Sequence, residues 1–116
     1  MAAPEDIDDR IENRLLSHGI YVTGLTHGEE TLVVTYETVH ATDGVPHRDI
    51  GRVLNLLRDL REEGWDPVDV DGTVTDLDGD RLGTWHADAE WFHELATGEV
   101  TETEFSQRVL GTIEEA

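Results

Sequence analysis

The sequence predicts an α+β fold: a four-stranded antiparallel sheet built from two helix–hairpin units (α-β-β-α-β-β), followed by a C-terminal α-α hairpin. Three observations predict it. Apolar residues recur at helical spacing ahead of each of two hairpins, they alternate with polar residues inside the strands, and a capping box opens the last helix. The length of 116 residues predicts a single domain, with its core over residues 1–87 and the helical hairpin over residues 88–116.

The first unit begins with a helix over residues 4–18. Pro4 suits a first helical position, and Gly19 stands where helices commonly end. A hairpin follows, with strand-like residues over 20–26 and 31–40. The second of these strands alternates, and the side predicted to face the core carries Leu32, Val34 and Tyr36.

The second unit repeats this order, with a helix over residues 46–63, ended by Gly64, and a hairpin over residues 68–86. Asp78-Gly79 is a strong signal for a tight turn between the two strands of that hairpin. Gly72 inside the third strand predicts a bulge or the close approach of another backbone. The helix carries an apolar stripe at helical spacing, formed by Ile50, Val53, Leu54, Leu57 and Leu60.

Two short helices close the chain. Asp88 is expected to cap the first of them, which ends at Gly98. Thr101-x-x-Glu104 is a capping box, in which the hydroxyl and the carboxylate each satisfy a free amide. The apolar positions of the two helices are Trp91, Phe92 and Leu95, then Phe105, Val109 and Ile113.

A sheet covered by helices on one face leaves its second face open. Tyr21, Val33 and Trp85 are candidates for that face, so we expect the protein to dimerise through its sheet. Trp85 and Trp91 flank the junction between the sheet and the C-terminal hairpin, and we expect the two indoles to seal it.

The chain contains no lysine: its 8 basic residues are all arginine, against 27 Asp and Glu, for a formal net charge of -19. The acids are spread along the chain and 37% of the residues are hydrophobic, which excludes a disordered acidic tail. Near molar salt the Debye length falls to about 3 Å, so surface carboxylates barely repel one another. The composition therefore predicts a halophilic cytosolic protein in potassium-rich solvent, and its acidity does not indicate a basic partner.

The stretch LATGEVTETEF over residues 95–105, running on to Leu110, has a leucine-bearing helix, a glycine turn and a Thr-x-x-Glu-Phe cap. It resembles the SHOCT type of short C-terminal helical hairpin, which implies an oligomerisation or docking accessory and transfers no catalytic residue. This copy lacks the lysines of that family. The rest of the chain resembles the small acidic proteins of haloarchaea, a group that implies no particular activity.

The sequence lacks the residues and motifs that several kinds of site require. Without cysteine there is no disulfide, no thiolate metal ligand and no thiol nucleophile. The two serines, Ser17 and Ser106, fall inside predicted helices, and no glycine-rich phosphate loop follows a strand. No apolar run is long enough to span a bilayer, and the acidic N-terminus is not a signal peptide. We therefore expect no catalytic residue, no cofactor and no membrane partner.

No metal site is predicted either. Counted from Asp76, the acidic hairpin matches an EF-hand loop at positions 1, 3 and 5, but Arg81 stands at position 6 and Ala87 at position 12. His86 and His93 flank the start of the third helix beside acidic residues, yet a spacing of seven is not a zinc pattern.

The central helix departs from the acidic background, because residues 46–63 carry four arginines and four acids. Arginine is suited to interfaces and to bidentate anion binding. Alternatively, the helix neutralises itself through an ion pair of Arg58 with Glu62. A pair of Arg52 with Asp49 would act in the same way. The candidate interaction surface comprises His47, Arg48, Arg52, Asn55, Trp85 and Trp91.

The absence of a catalytic constellation, together with apolar candidates on both sheet faces, favours a non-catalytic protein-interaction or regulatory module. Its expected partner is a second copy of the chain or another protein. One alternative is a DNA-binding regulator that uses the arginines of the central helix; it is disfavoured, because a winged helix places three helices before its hairpin. A second alternative is a small-molecule binder with a pocket between the sheet and the C-terminal hairpin, near His86 and His93.

Overall fold

The computed structural model describes residues 7–28, 30–39 and 44–116, and over these residues the fold is α+β, as predicted. Pro4 and His40, at the ends of two predicted elements, lie outside the described residues. None of the described helices combines the length and the apolar character needed to cross a bilayer. In chain order the elements are α1 Ile7–Leu16, β1 Ile20–His27, β2 Thr31–Thr38, α2 His47–Glu62, β3 Asp69–Thr75, β4 Arg81–Ala87, α3 Ala89–Thr97, α4 Glu102–Leu110 and β5 Glu114–Glu115.

The sheet is mixed, and the prediction of a four-stranded antiparallel sheet was wrong in two respects. Its five strands lie in the order β1-β2-β3-β4-β5, and β2 pairs with β3 in parallel while the other neighbours are antiparallel. Helix α2 carries the chain from the end of β2 back to the start of β3, which makes the two strands run the same way. The fifth strand is short: Glu114 pairs with Thr84, and Glu115 pairs with Gly83.

A bulge keeps the edge strand β1 in contact with the core. Val22 and Leu25 are three positions apart, so an unbroken strand would point them to opposite faces. The pairing of β1 with β2 shifts between Val22 and Gly24, which places Val22 opposite Tyr36 and Leu25 opposite Val34. Both apolar side chains therefore pack against the core.

One hydrophobic core joins the sheet to all four helices. The C-terminal helices α3 and α4 are integral to it, because Phe92, Phe105 and Val109 are buried there. The capping box that opens α4 is confirmed: the Glu104 amide donates to the Thr101 hydroxyl at 3.1 Å, and the Thr101 amide donates to the Glu104 carboxylate at 3.0 Å. These hydrogen bonds hold the pKa of Glu104 below its usual value.

Trp85 faces the core and does not lie on the second face of the sheet, contrary to the sequence-based expectation. It stands directly opposite Gly72 in the β3–β4 register, and its indole occupies the space that a side chain at Gly72 would need. The indole Nε1 donates to the Tyr36 hydroxyl at 3.0 Å. The close approach predicted at Gly72 is therefore real, but an indole makes it instead of a backbone.

Ion pairs connect the helices to one another instead of neutralising α2 from within. Arg58 reaches Glu102 at 2.9 Å, so the predicted pair with Glu62 is wrong. Asp49 is fully buried and accepts a hydrogen bond from the Thr38 hydroxyl, while Arg52 is not paired with it. Within the described residues, Arg10 of α1 also pairs with Glu63 at the end of α2, Arg14 pairs with Asp59, and Arg108 pairs with Glu94.

Candidate interaction surfaces and a histidine cluster

The six predicted interaction residues do not form one surface. His47, Arg48 and Asn55 are exposed on α2, with Arg52 half-buried beside them, and within the described chain neither Arg48 nor Arg52 is ion-paired. Trp85 is only 2% exposed and cannot contact a partner directly. On α3 the half-buried Trp91 packs its ring against His86, with ring centroids 6.3 Å apart and an interplanar angle of 75°.

Exposed apolar side chains concentrate at one end of the sheet. The large ones in the described residues are Leu16 (51% exposed), Tyr21 (41%), Val39 (45%) and Leu77 (58%). Leu16 is the last residue of α1, Tyr21 is the second residue of β1, Val39 follows β2, and Leu77 lies two residues after β3. The start of β1 and the ends of β2 and β3 lie at the same end of the sheet, since β1 is antiparallel to β2 and β2 is parallel to β3. We call these four residues the apolar end.

Backbone hydrogen bonds and strand pairing bring Leu16, Tyr21 and Val39 close to one another at this end. The Gly19 amide donates to the Leu16 carbonyl at 3.0 Å, and the Val39 amide donates to the Gly19 carbonyl at 3.4 Å. Tyr21 pairs with Glu37, two residues before Val39. Tyr21 and Val33 do lie on the face opposite the core, as the register shows, but that face is otherwise rich in threonine. Its partly buried members include Thr35, Thr73, Thr75 and Thr84.

A second feature is a cluster of one imidazole and three carboxylates, Asp69, Asp71, His86 and Asp88, which we call the His86 cluster. Asp71 stands opposite His86 in the β3–β4 register. The His86 Nδ1 lies 2.7 Å from the Asp71 Oδ1, and the Nε2 lies 2.5 Å from the Asp88 Oδ1. The ring is therefore held between two carboxylates, one on β3 and one at the start of α3.

The cap of α3 differs from the prediction in the side chain that makes it. Asp88 occupies the N-cap position, but its carboxylate turns to His86 and makes no capping hydrogen bond. Instead the Asp69 carboxylate, from the start of β3, accepts from the Ala89 amide at 2.8 Å. The β3–β4 hairpin brings the start of β3 beside the end of β4, which is where α3 begins.

The chain after α4 runs along β4 and fixes the backbone at His86. The Thr112 hydroxyl lies 2.8 Å from the His86 amide nitrogen and 3.0 Å from the His86 carbonyl oxygen, so it takes the place of a neighbouring strand. A shallow cavity of about 260 Å³ opens here, with Asp71, His86, Thr112 and Glu114 among its walls. This cavity borders His86, but its walls come from β3, β4 and the segment after α4, and His93 is not among them. A pocket between the sheet and the C-terminal hairpin, near His86 and His93, stays a prediction.

A larger cleft of about 410 Å³ lies elsewhere, between α2 and α3. Arg58 and Arg61 from α2 and Phe92 and Leu95 from α3 are among its walls. The Arg61 Nε is buried and has no hydrogen-bond partner in the described part of the chain. Arg58 is paired with Glu102, whereas Arg61 is in no ion pair among the described residues.

The His86 cluster makes stability depend on pH. Partial burial alone lowers the pKa of His86, but the hydrogen bonds and negative charges of Asp71 and Asp88 outweigh it and raise that pKa above its usual value. The folded protein therefore binds this proton more tightly than the unfolded chain does. We expect the resulting stabilisation to be complete below the usual histidine pKa of about 6.5 and to be lost as the pH rises through the raised pKa of His86.

Urea unfolding at pH 6 and pH 9, at constant salt and with EDTA present, tests this pH dependence. The wild type should lose more stability over that interval than His86→Gln does. His93→Gln, which alters an exposed histidine of α3, should keep the wild-type difference. Equal losses for the wild type and His86→Gln would show that the cluster does not hold the proton.

Comparison with known proteins identifies the family of the chain but no characterised relative. No curated protein and no solved structure is detectably similar to it. A family model does match, over residues 1–116, which is the whole of the sequence given. The chain therefore belongs to the family described as a domain of unknown function, DUF8159.

Proposed function

We propose that the protein is a halophilic, cytosolic, non-catalytic interaction module that self-associates through its apolar end. The observation that carries the proposal is the gathering of Leu16, Tyr21, Val39 and Leu77 at one end of the sheet, each more than 40% exposed. Single exposed apolar residues are ordinary, whereas a concentration of them marks an interaction site. The edge strand β1 lies beside them, and its outer backbone has no strand partner within the described residues.

The charge of the chain links this association to salt. Two copies with a formal net charge of -19 each repel one another strongly in dilute buffer. Near molar salt the Debye length is about 3 Å, so this repulsion is largely screened while the apolar contact remains. We therefore propose that the protein dimerises in potassium-rich solvent and dissociates in dilute buffer.

Sedimentation in molar KCl tests the proposal with the double variant Leu16→Ser/Val39→Ser. We expect the wild type to dimerise and the double variant to dissociate with a Kd at least ten-fold higher, because both apolar contacts are lost. The matched control Asn55→Ser/Gln107→Ser changes two exposed, uncharged residues on α2 and α4 and should sediment as the wild type does. Surface changes of this kind alter folding stability by about 0.5 kcal/mol or less, so all variants should remain folded.

Two results would reject self-association at this surface. One is a wild type that stays monomeric at high protein concentration in molar KCl. The other is a Leu16→Ser/Val39→Ser variant that dimerises as tightly as the wild type does. Loss of dimer in the Asn55→Ser/Gln107→Ser control alone would move the interface to the helices.

A second candidate function rests on Arg48 and Arg52, which are not ion-paired in the described chain and lie on α2, a helix with four arginines and three acids. Such a face suits an anionic partner, and DNA is the alternative that the sequence raised. Shift assays with duplex DNA, comparing the wild type with Arg48→Glu/Arg52→Glu, decide it. Binding that the double variant abolishes supports this function, and an unchanged shift or no shift removes it.

A further inference from the structure

We propose that Asp69, His86 and Asp88 form a binding site for a divalent cation of the zinc type, with Asp71 orienting the imidazole. Each of the three side chains offers one ligand atom, and these atoms lie within 4.8 Å of one another. They come from the start of β3, the end of β4 and the N-cap of α3, so the fold assembles them from three elements.

The imidazole distinguishes this cluster from the many acidic groups on the surface. Zinc accepts histidine nitrogen together with carboxylate oxygen, and sites with an open position use three protein ligands and a water. A metal-bound histidine commonly donates its other ring N–H to a carboxylate, which fixes the ring and the tautomer. His86 meets this pattern, because Asp71 holds Nδ1 at 2.7 Å and leaves Nε2 directed to the side of Asp88.

The ring is also held from two other directions. Thr112 binds both the amide and the carbonyl of His86, which fixes the strand at this residue. Trp91 packs edge-on against the imidazole. A donor with a fixed position loses little freedom when it binds a ligand, so this arrangement favours the bound state.

The negative charge of the cluster favours the binding of a cation. Asp69, Asp71 and Asp88 bring three carboxylates around one imidazole, and no arginine is ion-paired with any of them in the described part of the chain. A neutral His86 leaves their charges uncompensated, and a divalent ion at Nε2 offsets two of them. When Nε2 carries a proton, the ion replaces it and that proton is released to solvent; a neutral imidazole protonated at Nδ1 binds the ion directly.

Binding requires a small movement of the side chains. Zinc–ligand bonds of about 2.0–2.1 Å place neighbouring donor atoms roughly 3.3 Å apart, closer than some of these atoms lie. The Asp88 side chain is 42% exposed, so solvent leaves its carboxylate room to turn. Asp69 can keep its Oδ1 on the Ala89 amide and offer its other oxygen.

Calorimetric titration of metal-stripped protein with Zn²⁺ in molar KCl tests the site, because this salt suppresses loose attraction to the acidic surface. We expect one Zn²⁺ per chain and an affinity reduced at least ten-fold in His86→Gln and in Asp88→Asn. Asp71→Asn, which keeps all three ligands, should weaken binding by about ten-fold. Two controls, His93→Gln and Asp78→Asn, change an exposed histidine and an acid of the β3–β4 turn and should bind as the wild type does.

Any of the following outcomes would overturn the proposal. No saturable heat from the wild type, or wild-type affinity in His86→Gln, removes the site. Equal weakening by Asp78→Asn and His86→Gln means an adventitious ion only. Thermal unfolding of every variant without metal verifies that each one is folded, and Asp88→Asn provides a second ligand variant should His86→Gln fail to fold.

Discussion

Replacing Trp85 with alanine is expected to destabilise the protein by about 3–5 kcal/mol, as is typical when a buried tryptophan is truncated. Trp85 is only 2% exposed, and its indole fills the space above Gly72. The change also removes the Nε1 donor from the Tyr36 hydroxyl, which is itself buried. Burial raises the pKa of Tyr36 far above its usual value, so the phenol stays neutral and needs this hydrogen bond in the core. Urea unfolding in molar KCl measures the loss.

Two glycine-to-alanine variants test whether the packing of Trp85 against Gly72 is specific, or whether any added methyl group destabilises the protein. Gly72→Ala would push a methyl group into the Trp85 indole, so we expect a loss of about 1–3 kcal/mol. Gly51 lies inside α2, and a Cβ added there meets nothing within 4 Å. Gly51→Ala is therefore expected to stabilise the protein by about 0.5–1 kcal/mol, since alanine is the better helix former.

Combining the changes makes the test specific to the contact. If the indole causes the strain, Gly72→Ala should lose much less stability in a Trp85→Ala background than in the wild type, because the two sites share one space. Additive losses would show that Gly72 and Trp85 do not compete for that space. The same result would contradict the register that places the two residues opposite each other.

Local signals predicted the elements of this fold well, because the interactions that set them are close in sequence. The capping box at Thr101 and the stripe of α2 needed only neighbouring residues, and both are present. The direction in which two hairpins join is a long-range property, and nothing in their local pattern distinguishes a parallel β2–β3 pair from an antiparallel one. Trp85 was misplaced for a related reason: glycine at position 72 opens room for an indole on the core side only once β3 and β4 are paired.

The His86 cluster was only partly predictable from the sequence. Counting outward from the Asp78-Gly79 turn places Asp71 opposite His86, so the register could have brought this pair together. The spacing of His86 and His93 along one chain segment does not indicate it, because the pair is made across two strands. The position of Asp69 could not be read in this way, since it depends on where α3 starts relative to the sheet.

Phe92→Ala is expected to destabilise the whole protein by about 3–5 kcal/mol. Its effect tests whether the C-terminal hairpin folds together with the rest of the protein. Phe92 is 1% exposed and lies between two other buried aromatic rings. Its ring meets Trp65 edge-on, with centroids 6.1 Å apart at 89°, and meets Phe105 at 5.1 Å and 60°. Such pairs add about 0.5–1.5 kcal/mol each beyond the area they bury.

The form of the unfolding curve decides whether α3 and α4 are part of one cooperative unit. Because Trp65 follows α2 and Phe105 belongs to α4, the ring of Phe92 ties the hairpin to the body of the fold. A single transition at lower urea, followed by tryptophan fluorescence and circular dichroism together, is expected for Phe92→Ala. His93→Ala, its exposed neighbour, should unfold within about 0.5 kcal/mol of the wild type. Two separate transitions would instead mean that the hairpin folds as a module of its own.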